Sequence, residues 1–146
     1  MARFDTNGLD ALILDMNEIR DIDDGTVDEM LLAGGEIIKE AHIQEIQSTF
    51  SSRTGKLVGS PTVSKKYSGG DSRYVLIYPQ GAHHTYHAKG GGAKTAPNAE
   101  VGFVHEFGGH GNDATQWMRK ANEKKADDAV EAEFAVFDAW HKSHNL

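Results

Sequence analysis

The sequence predicts an α+β domain: two N-terminal helices, an antiparallel β-sheet of about four strands, and a long C-terminal helix packed on that sheet. Three observations carry this prediction. Residues 7–50 repeat apolar side chains at steps of three and four, residues 51–107 switch to short β-type runs punctuated by glycine and proline, and the helical period returns from Asp113 into the tail. Helices and strands segregated along a chain in this way indicate α+β architecture rather than alternating parallel units.

The elements follow in order. Asn7 is placed to cap a first helix whose stripe is Leu9, Leu12, Ile13, Met16 and Ile19, and Asp21-Ile22-Asp23-Asp24-Gly25 breaks it. Thr26 with Glu29 three residues on reads as a capping box for a second helix of about 25 residues, reaching Phe50. Gly34-Gly35 lies inside that helix, where each glycine costs up to ~1 kcal/mol relative to alanine, so either another segment passes close there or the helix bends. Residues 51–61 form a linker. Thr62–Tyr67 and Arg73–Tyr78 read as hairpin partners around Ser68-Gly69-Gly70-Asp71, and His83–His87 as a weak edge strand. Ala88–Asn98, with Gly90-Gly91-Gly92 and Pro97, reads as a flexible exposed loop. Val101, Phe103, His105 and Phe107 alternate as one face of a last strand, Ala99–Phe107, which stops at Gly108-Gly109. Asp113 with Gln116 makes a second capping box, and Trp117, Met118, Ala121, Val130, Phe134, Phe137 and Trp140 supply the apolar face of the terminal helix.

At 146 residues the chain fits one domain, residues 1–146, without internal repeats. It has no cysteine, which excludes disulfides, Cys-based zinc sites and thiol nucleophiles. No apolar run approaches the ~20 residues of a membrane span, and Met1-Ala2-Arg3-Phe4-Asp5 lacks the apolar core of a secretory signal, so a soluble chain unprocessed at its N-terminus is expected. The net charge of −7 is uneven. Residues 1–50 hold 3 basic and 12 acidic side chains, residues 51–110 hold 7 and 3, and residues 111–146 hold 5 and 7. The acidic total argues against duplex binding, which needs a dense basic face. The polarity instead allows the basic middle of one subunit to meet the acidic helices of the next.

Eight histidines raise the question of a metal. A helical zinc-protease motif sets two histidines four residues apart with a glutamate beside the first, whereas His105 and His110 are five apart, about 140° around a helix. Gly108-Gly109 also interrupts any such helix. Gly90-Gly91-Gly92-Ala93-Lys94-Thr95 lacks the frame of a phosphate loop, there is no Gly-x-Ser-x-Gly elbow, and no spacing supports a triad. No catalytic residue, metal site or cofactor is assigned, and the chain is not read as an enzyme. The alternative from another class is a metal-dependent hydrolase using His83, His87, His105 and His110.

Taken in order, Gly8-Leu9 in the first helix, the long second helix, Thr54-Gly55-Lys56-Leu57 with Ser60, the hairpin, Phe103-Val104-His105-Glu106-Phe107-Gly108 and Trp117-Met118-Arg119-Lys120-Ala121 form a recognisable series. This series resembles the tail-component family of long-tailed bacteriophages, the neck, tail-completion or head-tail joining proteins. In that family a Thr-Gly-x-Leu-x-x-Ser segment precedes the sheet, and an aromatic-rich strand ending Glu-Phe-Gly-Thr leads to a Pro-Phe-(Leu or Met) step before the last helix. Here Gly109 replaces the threonine and Gln116-Trp117 replaces Pro-Phe. The resemblance implies a structural virion protein without catalytic residues, assembling as a ring, commonly sixfold, between the head-closure or connector protein and the tail-terminator or tail-tube protein. DNA passes through such a channel without specific binding, no membrane is involved, and the protein resides in the virion neck after assembly in the host cytoplasm. A tail-terminator or other tube-end protein is the neighbouring alternative.

Within that reading Arg53, Lys56, Lys65, Lys66 and Arg73 are candidate contacts to acidic helix residues of a neighbouring subunit. Glu106 is expected to accept hydrogen bonds from the following loop or from a neighbour. Phe107 is expected in the core, Gly108 at the corner, and Trp117 in the core as the aromatic anchor of the last helix.

Overall fold

A computed structural model of the chain describes residues 21–50, 55–70 and 72–144. The helix expected after Asn7, and Arg53, lie outside the described residues. Among the described residues the chain is α+β, with three helices and small antiparallel ladders.

Helix α1 spans Asp24–Thr49, 26 residues or about 39 Å at 1.5 Å per residue. Its cap is Asp23, three residues before the expected Thr26: the Thr26 amide donates to Asp23 Oδ1 at 2.9 Å and the Thr26 hydroxyl to Oδ2 at 2.7 Å. A carboxylate at this position satisfies an otherwise unpaired amide and faces the positive end of the helix dipole, which outweighs the threonine.

The hairpin expected between residues 62 and 78 forms, but a bulge divides it. Strands β1 (Pro61–Val63) and β4 (Ile77–Pro79) pair with Thr62 opposite Tyr78, while β2 (Tyr67–Gly69) and β3 (Ser72–Tyr74) pair with Ser68 opposite Arg73. Between the two ladders three residues, Ser64 to Lys66, face two, Val75 and Leu76. Buried Ser64 bridges the gap, its amide donating to the Leu76 carbonyl at 2.8 Å and its Oγ accepting the Leu76 amide at 2.9 Å. Tyr67 and Tyr74 stack across the outer ladder with ring centroids 5.4 Å apart, a cross-strand pair of the kind that fixes register.

The next stretch departs from expectation. Strands β5 (Ala82–His87) and β6 (Ala93–Pro97) form a third antiparallel pair. The Gly-rich segment 88–98 is therefore not one exposed loop: only residues 88–92 turn, with Gly90 at φ 77°, and the remainder pairs or, at Asn98, is buried. Backbone pairing of Thr95 with Thr85 and Ala96 with His84 overrides the glycine signal. The expected four-stranded sheet is thus three two-stranded ladders, β1-β4, β2-β3 and β5-β6.

Residues 99–107 are helical, not a strand: α2 spans Asn98–Phe107. Its buried residues, Asn98, Gly102 and Glu106, recur every fourth position, a helical period that the coincidental alternation of Val101, Phe103, His105 and Phe107 conceals over so short a run. Pro97, extended at ψ 154°, ends the strand and opens the helix.

Helix α3 spans Trp117–Ser143, 27 residues, and lies antiparallel along α1 rather than on a sheet. The pairing runs from His42 beside Asn122, through Gly34 beside Glu133, to Thr26 and Glu29 beside Trp140 and Ser143. Two long helices match each other's length, whereas no ladder here exceeds six residues on a strand. Gly34 and Gly35 mark close approaches: a Cβ on Gly34 would overlap the Glu133 side chain, and one on Gly35 would lie 3.2 Å from Val63. The core centres on Ile46, Leu57 and Trp117, flanked by Phe50, Val58 and Met118. Among the described residues no helix is long and apolar enough to cross a membrane.

Candidate functional site: a capped corner between two helices

Glu106, Phe107, Gly108 and Trp117 gather at the corner joining α2 to α3. Gly108 ends α2 at φ 82°, its amide still donating to the Val104 carbonyl at 2.8 Å. A side chain there would be doubly disfavoured, since its Cβ would also meet the Ala114 amide at 3.1 Å. Gly109 and Asn112 then exchange backbone hydrogen bonds of 3.0 and 2.9 Å, closing a tight turn. The returning chain is fastened to the end of α2 by Thr115, whose amide and hydroxyl both donate to the His105 carbonyl at 2.8 Å.

The expected Asp113–Gln116 box does not form. Gln116 is the residue before α3, in a left-handed conformation at φ 52°, with no side-chain cap of its own. The cap comes from the preceding helix: the buried Glu106 carboxylate accepts the Met118 amide at 2.6 Å and the Arg119 amide at 3.3 Å. Glu106 therefore does accept bonds from the segment that follows it, at the point where the dipole of α3 favours a negative charge.

Trp117 is fully buried, and its indole N–H donates to the Gly102 carbonyl at 2.9 Å. Gly102 leaves room for this contact: a Cβ would stand 3.0 Å from Pro79 and 3.3 Å from the indole. His42 of α1 meets the Trp117 ring edge-on at 5.2 Å. Its Nε2 lies 2.9 Å from Asn122 Oδ1, a pairing that assigns the proton to Nε2, while buried Nδ1 has no hydrogen-bond partner among the described residues. Burial lowers the His42 pKa, opposed by the Asn122 hydrogen bond and the Glu106 charge.

Phe107 is not in the core. It is 75% exposed and stacks on Phe103, itself 45% exposed, at a centroid distance of 6.3 Å. Helical rather than strand geometry explains the reversal, because Glu106 occupies the inward position and the next residue turns out by about 100°.

Of the basic residues of the middle region, Arg73 and Lys66 find acidic helix partners within the chain. Arg73 Nε and Nη2 both donate to Asp28 Oδ1, at 2.9 and 2.7 Å, and Nη1 reaches Asp24 Oδ2 at 2.9 Å. Lys66 adds a 3.3 Å contact to Asp28 Oδ2. The Arg73 hydrogen bond, then Lys66, hold the Asp28 carboxyl below its ordinary value against the effect of burial. Lys56 donates to the His83 carbonyl at 2.8 Å, and the Lys65 ammonium stands 5.5 Å above the Tyr67 ring.

His83, His87, His105 and His110 do not form a metal-holding group among the described residues. His105 packs on Phe50 at 4.5 Å, His87 is exposed, and His110 sits in the corner turn at φ 50°. His84, His105 and His110 line an open cleft of about 420 Å³ with Tyr86 and Glu100. The described residues include no group of three or more His, Asp or Glu side chains placed to hold a metal. His83 is held below the ordinary imidazole value by burial first, then by the charges of His84, Lys56 and His105.

Sequence reasoning overlooked three participants. His42 follows Ala41 in the apolar stripe of α1, so its position marked it as buried, but only the fold brings Trp117 against it. Gly102 carried no signal beyond composition, and Phe103 entered as part of an alternating strand face, which gave no hint of its pairing with Phe107. Comparison with family models, with curated proteins and with solved structures gives no match.

Proposed function

We propose that the chain is a structural virion protein of the phage neck, a tail-completion or head-tail joining component that assembles as a ring between the head-closure complex and the tail tube. The observation that carries this reading is the Glu-Phe-Gly corner. Glu106 locks α2 onto the first turn of α3, Gly108 makes the turn, and Phe107 is held in solvent beside Phe103 on that rigid base. Paired aromatic rings displayed on a fixed scaffold lose little conformational entropy on docking and are the type of side chain that anchors protein interfaces. The series of short segments resembling the tail-component family supports the same role.

Contacts between unlike surfaces of identical subunits close into rings when the rotation permits. The strands β2 and β3 at the outer end of the hairpin, and β5 and β6, each belong to a two-stranded ladder and so present backbone edges that a neighbour can pair with. An acidic subunit attracts passing DNA weakly, as a channel for transit requires.

The test is native mass spectrometry of the untagged chain, alone and mixed with connector and tail-tube proteins of a long-tailed phage that encodes it. A discrete ring, or a monomer that joins those proteins in fixed stoichiometry, is expected, and Phe107→Ser abolishes either while leaving the monomer folded. A chain that stays monomeric alone and in every mixture overturns the proposal.

A further inference from the structure

Adjacent residues on a regular strand point to opposite faces, so His83 and His84 ought to be separated by the pleat. They are not. The register of β5 against β6 shifts between Ala82, which faces Pro97, and His84, which faces Ala96, leaving His83 as the extra residue of a bulge. Bulges re-aim side chains, and here the result is that His83 Nδ1 and His84 Nδ1 converge to 2.9 Å with their rings nearly perpendicular at 84°.

Two imidazole nitrogens meet in this way by one of two means. Either one ring donates its Nδ1 proton to the other, which requires opposite tautomers of two adjacent histidines, or both lone pairs face a shared cation. The 2.9 Å spacing fits either. At metal–nitrogen distances of about 2.0–2.1 Å, ligands at right angles stand about 2.9 Å apart and those in a tetrahedron about 3.3 Å. Imidazole is a preferred ligand of zinc, nickel and copper ions and a poor one for magnesium or calcium. His84 is exposed and lines the cleft that contains Glu100, His105 and His110, while His83 beside it is half-buried. The Lys56 ammonium, bonded to the His83 carbonyl, opposes a cation here and limits its affinity.

We infer that the bulge in β5 makes His83 and His84 a two-histidine chelate for one divalent transition-metal ion, zinc, nickel or copper, bound through both Nδ1 atoms with its remaining positions open to solvent. This inference is independent of the neck assignment. It also differs from a four-histidine hydrolase centre, because it uses neither His87 nor His110 as a ligand and assigns no catalysis.

The experiment uses the full chain without an affinity tag, stripped with a chelator and titrated separately with zinc, nickel and copper chlorides by calorimetry at neutral pH. Long-range proton–nitrogen NMR of the zinc-loaded protein reads which ring nitrogens respond. Saturable binding of one equivalent of at least one of these ions is expected, with zinc shifting the Nδ1 resonances of two histidines. Binding is lost in His83→Ala and in His84→Ala and retained in His87→Ala. The inference is overturned by no saturable binding of any of the three ions, by binding that survives both His83→Ala and His84→Ala, or by a zinc response at Nε2 atoms only. The NMR readout on the unaltered chain decides the matter even if a substituted chain fails to fold.

Discussion

The Glu106 carboxylate accepts the backbone amide of Met118 at 2.6 Å, so that one helix supplies the N-terminal cap of the next across a turn of nine residues, 108–116. Capping from a separate helix does two things at once. It satisfies amides that Gln116, in its left-handed conformation, leaves unpaired, and it sets the relative positions of α2 and α3.

Glu106→Ala is expected to destabilise the fold by about 1–2 kcal/mol, the usual cost of losing a helix cap. Glu106→Gln, which keeps one acceptor oxygen but loses the charge, costs less. Urea denaturation followed by far-UV circular dichroism measures both, and the exposed Glu100→Ala, within about 0.5 kcal/mol of the parent, serves as the control. Equal effects of Glu106→Ala and Glu100→Ala refute the capping role.

Gly102→Ala tests packing against propensity. Alanine favours a helix over glycine by about 1 kcal/mol, but its Cβ would press on Pro79 at 3.0 Å and on the Trp117 ring at 3.3 Å. Pro79 is rigid and both neighbours are buried, so overpacking wins and the variant loses about 1–3 kcal/mol net. A rise in the urea midpoint contradicts this.

His42 gives the fold a dependence on mildly acidic pH. Its folded pKa lies below the ordinary value of 6.5, so the unfolded chain takes up the proton first. Its contribution is complete above about pH 6.5, declines as the pH falls through that value, and levels off once the pH is below the folded pKa. His42→Phe removes this component, and thermal unfolding of both chains between pH 7.5 and 5 measures the difference. Parallel curves for the two chains sink the assignment.

Arg73→Lys loses the fork that places two nitrogens on Asp28 and a third on Asp24, retaining a single point charge. The melting temperature is expected to fall. Because the folded pKa of Asp28 is depressed, the stability linked to it is present above the ordinary carboxyl value of 3.8 and is lost as the pH drops through the folded value. The acid-unfolding midpoint of Arg73→Lys therefore moves to higher pH. An unchanged midpoint argues that Arg73 does not hold Asp28 ionised.

The long helices and the hairpin were legible because their signals are local. Val27, Met30, Leu31, Ile37, Ile38 and Ala41 in one helix and the apolar stripe of the terminal one keep a helical period for several turns, and two β-type runs flank the glycines near residue 70. Residues 99–107 were not legible, because the inward positions Asn98, Gly102 and Glu106 carry no apolar side chain, so the alternation of Val101, Phe103, His105 and Phe107 was the stronger hydrophobic signal over so short a run. The error carried over to Phe107, whose exposure follows directly from the helical setting of Glu106. Ala93–Pro97 was obscured by three glycines that belong only to the preceding turn. Arg73 and Lys66 were read as contacts to acidic helix residues of a neighbouring subunit; they pair with Asp24 and Asp28 of their own chain, which no local signal places within reach.

The pairing of α1 with α3 bears on how the chain folds during synthesis. Their facing residues are about 80 to 115 positions apart, with every described strand and the corner between them. Contacts of such separation form late, after the entropy of closing the intervening segment has been overcome. Among the described residues, the helix that packs along α1 is Trp117–Ser143, so until it leaves the ribosome Ala41 and Ile46 lack that partner. The corner that fixes α3 to α2 is short-range by comparison, and once formed it delivers the last helix already aimed at its partner.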